Sequence, residues 1–137
     1  MRHLLGQKGL AIEVDSAGTG PYRDVPAYHL VVEAVAGLGI DLSRHRSKPV
    51  DARLLERADL ILAMAPEHVR WLRSARPDLA GRIRLLRPYC LGLEDPAADE
   101  DPAHQIPDPI GLPARAHQEC VATLRSLLER LVARWSP

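Results

Sequence analysis

The chain has 137 residues, 46% of them apolar and 26% charged, with 18 basic residues balanced by 18 acidic ones. That length suits one globular domain, and a net charge of zero excludes the field that would gather nucleic acid or an anionic membrane surface. No apolar run approaches a membrane span, and the opening MRHLLGQKGL lacks the apolar core of a signal peptide, so a cytoplasmic protein is expected.

Residues 1–9 read as the tail of a helix ended by Gly9. LAIEVDS (10–16) reads as a short buried strand. VPAYHLVVEAVAGLGI (25–40) places Ala27, Leu30, Val31, Ala34, Val35 and Leu38 on one helical face and stops at Gly37 and Gly39. A basic loop follows, in which Arg44, Arg46 and Lys48 read as solvated. DARLLERA (51–58) predicts a helix capped by Asp51, and ADLILAM (58–64) a second strand. PEHVRWLRSA (66–75) opens with proline at a first helical position, and Arg70, Arg73 and Arg76 fall on one face read as solvated. GRIRLLRPY (81–89) predicts a third strand. The segment from Pro113 to Trp135 carries Val121, Leu124, Leu128, Leu131 and Trp135 at helical spacing and predicts the longest helix. Alternating strands and helices imply an α/β fold with a parallel sheet.

The stretch 94–109, EDPAADEDPAHQIPDP, is acidic, rich in Pro and Ala, and long for a surface loop. Within it, Asp108 stands between Pro107 and Pro109. One proline locks its own φ, and the other drives Asp108 out of the helical region, so the carboxylate is aimed. Read alone, Asp-Pro is a turn opener.

Other chemistry lacks support. The six histidines form neither H-x-x-x-H nor H-E-x-x-H, and Gly18 and Gly20 belong to no phosphate-loop motif. No metal and no cofactor are therefore expected. Cys90 and Cys120 form no C-x-x-C pair and read as structural thiols.

Four pieces in order, VDSAGTG (14–20), GIDLSRHRSKPV (39–50), ADLILAM…EH (58–68) and IPDPIG (106–111), resemble the bacterial branch of the low-molecular-weight protein-tyrosine phosphatases. The resemblance covers essentially the whole chain. It implies one domain over 1–137 with a flavodoxin-like three-layer fold and a parallel sheet in the order 2-1-3-4. The family's C-x-x-x-x-x-R-[ST] cradle follows its first strand. Here the chain begins inside what would be the next helix, so that strand, the nucleophilic cysteine and the arginine are expected to be missing and the domain N-terminally truncated. Pro96 lies six places after Cys90, and Arg125 five after Cys120, so neither cysteine restores the motif.

By the same resemblance Asp108 is the general acid, while Ser16 and His45 support the phosphate loop. The substrate would be a phosphorylated protein, without nucleic acid or membrane partners. Ile110 and Gly111 stand where phosphotyrosine-selective members often carry tyrosines, which leaves phosphoarginine as an alternative. Two other readings stay open: a non-catalytic pseudophosphatase or binding module and, ranked last, an arsenate reductase. A sheet lacking its central strand also predicts loose packing, or self-association through open edges.

Overall fold

The computed structural model describes residues 1–137, and the chain divides into two compact units, Val50–Pro107 and Met1–Pro49 with Asp108–Pro137. Within Val50–Pro107, α3 (Ala52–Arg57) is followed by β1 (Ile61–Ala63), α4 (Pro66–Ala75), β2 (Ile83–Leu85) and α5 (Leu86–Leu91); the other unit holds α1 (Arg2–Gln7), α2 (His29–Ala36) and α6 (Ala114–Trp135).

The strands β1 and β2 pair in parallel, Ile61 opposite Ile83 and Ala63 opposite Leu85, with α4 in the connection that a parallel pair requires. They are neighbours, as the order 2-1-3-4 demands of its third and fourth strands. Local signals fix the flanking helices. Asp51 Oδ1 accepts the Leu54 amide at 2.7 Å as an N-cap, and Pro66 opens α4 where its missing N–H has no helical partner to lose. Leu55, Ala63, Val69, Leu72, Leu79, Ile83 and Leu85 form the core of this unit. Each large aliphatic side chain there contributes roughly 1.5–3 kcal/mol relative to exposure.

The strand expected over 81–89 ends at Leu85; Leu86–Leu91 is helical and stops at Gly92, whose φ of 78° gives the left-handed C-terminal turn. Pro88 sits in the first turn of α5, where helix amides are unpaired anyway. Of the three arginines read as solvated, Arg70 is exposed, whereas Arg73 in α4 and Arg76 just past its end are half-buried, and all three are paired. Arg73 Nη2 donates to Asp99 at 2.8 Å, Arg76 grips Asp78 and Glu56, and Arg70 reaches Glu100 at 3.0 Å. A long guanidinium stem reaches past its own helix, which periodicity alone does not register. The loop expected over 94–109 contains 3-10 turns at Pro96–Glu100 and Pro102–His104. Asp95 and Asp101 open them by accepting the amides of Ala97 and Ala103, both at 2.9 Å.

In the unit that holds both termini, the 22-residue α6 packs against α2 and α1 and buries Leu127, Leu131 and Val132. The helix α2 stops where the glycines predicted, with Gly39 at a φ of 74°. Residues 10–16 are not a strand. A strand exists only by giving its amides and carbonyls to a neighbour. Here the Val14 carbonyl accepts instead from the Arg2 guanidinium. The nearest sheet-like contact is a single parallel bridge between Gly18 and Pro49. No helix of the chain is long and apolar enough to cross a membrane.

Candidate functional site

Two loops build the cleft that holds the expected supporting residues. Gly18 donates its amide to the Lys48 carbonyl at 2.9 Å, which starts the first loop against the second. Ser47 then fastens the turn beyond it. Its amide donates to Val25 O at 2.9 Å, and its carbonyl accepts from Asp24 N at 2.8 Å. Its hydroxyl accepts from Val25 N at 3.1 Å and donates to Tyr22 O at 3.3 Å. Asp24 is held at a φ of 58°, a left-handed conformation that a short polar side chain tolerates better than a branched one. The second loop is shaped by Asp41, whose Oδ1 accepts the Ser43 amide at 2.8 Å; the Ser43 hydroxyl first, and then this amide, hold the Asp41 carboxyl below its ordinary value.

The result is an open cleft of about 270 Å³ lined by Ser16, Ala17, Gly18, His45, Ser47 and Lys48. Ser16 and His45, far apart in sequence, are therefore brought together. Both are exposed. Lys48 Nζ donates to Asp15 Oδ2 at 2.5 Å, so the cleft's only lysine is partly neutralised. That hydrogen bond, followed by the Ser16 amide, holds the Asp15 carboxyl below its ordinary value. Arg46 turns back onto its own loop, donating to the carbonyls of Ser43 and His45 at 3.3 and 2.8 Å.

Asp108 is exposed and is not among the cleft's lining residues. Its Oδ1 accepts the Ile110 amide at 3.0 Å, and Gly111, at a φ of 78°, reverses the chain towards α6. The two prolines and this bond fix the backbone around the carboxylate, as the sequence suggested. Nearby in α6, the Cys120 thiol is pushed up, first by burial and then by the Asp108 charge. Cys90 is buried at 1% exposure. Neither thiol is set up as a nucleophile.

The sequence did not single out Ser47, Asp15 or Asp99. Ser47 and Asp15 lie inside short polar stretches that carry no periodicity. Asp99 is one acid among several in the loop, and only burial distinguishes it.

A family model described as low molecular weight phosphotyrosine protein phosphatase matches residues 1–136. Among curated relatives, a probable low molecular weight protein-tyrosine-phosphatase EpsP of Ralstonia solanacearum is 36% identical over 94 residues, 68% of this chain and 65% of that protein. The chain thus spans less than two thirds of its first curated relatives, 65% of this one and 55% of its counterpart from Ralstonia nicotianae. Among solved structures, a low molecular weight protein tyrosine phosphatase from T. tengcongensis is 31% identical with a TM-score of 0.82, covering 95% of this chain and 82% of its own. A YwlE arginine phosphatase variant with a phosphorylated active-site serine is 26% identical with a TM-score of 0.85, covering 97% and 81%. These likenesses bear out the expected flavodoxin-like α/β fold. With residues 1–136 accounted for by one family model, the chain belongs to the low molecular weight phosphotyrosine protein phosphatase family.

Proposed function

We propose that residues 1–137 act as one phosphatase-like domain that serves hydrolysis of phosphorylated protein, with Asp108 as general acid and base. In that chemistry a thiolate attacks phosphorus while the bond to the leaving oxygen or nitrogen breaks. The Asp108 carboxylic acid gives its proton to the leaving group. As a carboxylate it then takes a proton from the water that attacks the phospho-cysteine, releasing thiolate and phosphate. Ser16 and His45 support the phosphate loop in this reading. The thiolate and the phosphate-binding arginine of the C-x-x-x-x-x-R-[ST] cradle are not among residues 1–137.

The observation that carries the reading is the convergence of Ser16 and His45 on one cleft in a chain whose acid stands on a proline-braced turn. Phosphotyrosine and phosphoarginine both fit as substrates. Ile110, 67% exposed directly after Asp108-Pro109, offers an aliphatic rather than an aromatic wall. Together with the likeness to an arginine phosphatase, this keeps phosphoarginine in view. The second reading is a non-catalytic module that binds phosphoprotein.

The test begins with the nucleotide sequence upstream of Met1. An in-frame strand followed by the cradle motif supports the enzyme; its lack supports the binding module. In a chain extended by such a segment, Asp108→Asn is expected to lower turnover by roughly 10²- to 10⁴-fold, with less loss on substrates whose leaving groups need little protonation. An equal loss on every substrate overturns the acid role.

A further inference from the structure

Asp99 lies in the middle of the loop that leads to Asp108, and it is completely buried, at 0% exposure. Its Oδ2 accepts from Arg73 Nη2 at 2.8 Å and from Arg84 Nε at 2.7 Å, and its Oδ1 accepts the Leu85 amide at 3.1 Å. One carboxylate therefore ties the loop to both α4 and β2. The two arginines extend the tie. Arg73 also donates to the Ile83 carbonyl at 2.7 Å, and Arg84 Nη2 donates to Leu93 O at 2.8 Å, where the loop begins. Farther on, the His104 ring Nδ1 lies 2.9 Å from the Ala98 carbonyl. Buried Ile106 gives its amide to Met64 O at 2.9 Å, just past the end of β1. The loop is thus fastened at its start, centre and end. Asp108 follows Ile106 by two residues, with φ-locked Pro107 between them.

Burying one carboxylate with two guanidinium groups is a poor way to gain stability, because desolvation offsets most of the attraction and apolar residues often do as well. What such a cluster adds is direction: each guanidinium accepts only a narrow range of geometries from its partner. We propose that Asp99 is a positioning residue for Asp108. Held by Arg73, Arg84 and the Leu85 amide, it fixes the course of residues 93–106 and hence the direction in which the chain enters the acid's turn. This rests on reading Asp108 as the general acid. Free of that anchor, the long Pro- and Ala-rich segment has few apolar side chains with which to hold one course.

The experiment uses two amides of the 137-residue chain. Ile106 N–H reports whether the loop end stays docked, and its exchange is compared with Leu72 in the core of the same unit. Ile110 N–H donates to Asp108 Oδ1, so the pH titration of its chemical shift follows the Asp108 carboxylate in the folded state. Asp99→Asn is expected to speed exchange at Ile106 by about tenfold more than at Leu72. It is also expected to reduce the titration amplitude at Ile110, which a loss of global stability alone does not change. Arg84→Lys keeps the charge but loses the forked geometry, and gives the same pattern more weakly; it decides the matter if Asp99→Asn does not fold. Equal acceleration at both amides, or an Ile110 titration like that of the unchanged chain, overturns the proposal. Asp108→Asn abolishes the Ile110 titration while leaving Ile106 protected. Failure of the acid reading shows only in the turnover experiment and leaves these amide results standing.

Discussion

His117 in α6 is 1% exposed, and neither ring nitrogen reaches a hydrogen-bond partner. Its neighbour is the Tyr28 ring, with centroids 5.3 Å apart and planes tilted by 47°. A neutral imidazole carries one N–H donor and one lone pair, and each left unpaired in a buried site costs about 1–3 kcal/mol. Phenylalanine removes both polar atoms and keeps the aromatic contact with Tyr28, worth about 0.5–1.5 kcal/mol. Its ring is larger, and overpacking takes back about 1–3 kcal/mol. The balance favours His117→Phe by about 2 kcal/mol. Urea denaturation of the 137-residue chain measures this as a higher midpoint at unchanged slope. His117→Leu, smaller and equally apolar, controls for crowding. If both variants are less stable than the parent, the imidazole makes a stabilising polar contact and the reasoning is wrong.

The 137-residue chain is expected not to hydrolyse aryl phosphate or phosphoarginine above background, because Cys90 is buried and the Cys120 thiol is pushed up rather than activated. Turnover that survives Cys90→Ser and Cys120→Ser would identify another nucleophile. Asp51→Ala, which deletes the bond to the Leu54 amide, is expected to cost about 1 kcal/mol of stability in chemical denaturation; a change below a few tenths would mean that tertiary contacts alone hold α3. The Asp15 carboxyl is held below its ordinary 3.8, so the stability it contributes is present above that pH and lost as pH falls through its lowered folded-state value. Both side chains of the Asp15–Lys48 pair are about two-fifths exposed, so the effect is small and screened by salt. Asp15→Asn is expected to flatten the acid limb of the stability curve slightly at low ionic strength and not at all in molar salt, as read by thermal unfolding across pH.

The sequence by itself determined whatever depends on neighbours along the chain. Pro66 and Asp51 announced the starts of their helices, Gly37 and Gly39 the end of α2, and the apolar spacing from Val121 to Trp135 the length of α6. These are local effects of capping, φ restriction and a 3.6-residue period. Four short motifs in order were enough to indicate the family. Tertiary structure decided what needs a partner from elsewhere. LAIEVDS has the composition of a strand, but without a neighbouring ladder it is not one; GRIRLLRPY became strand and then helix, since a short apolar run suits either. Ser16 and His45 could be named from the chain, yet only folding put them on one cleft, through hydrogen bonds from Ser47 and Gly18 that have no periodic signature. Arg73 looked like a surface residue and Asp99 like one acid among many. Burial separated them from the rest, because a charge removed from water must find its opposite, and that partner lies 26 residues away in sequence.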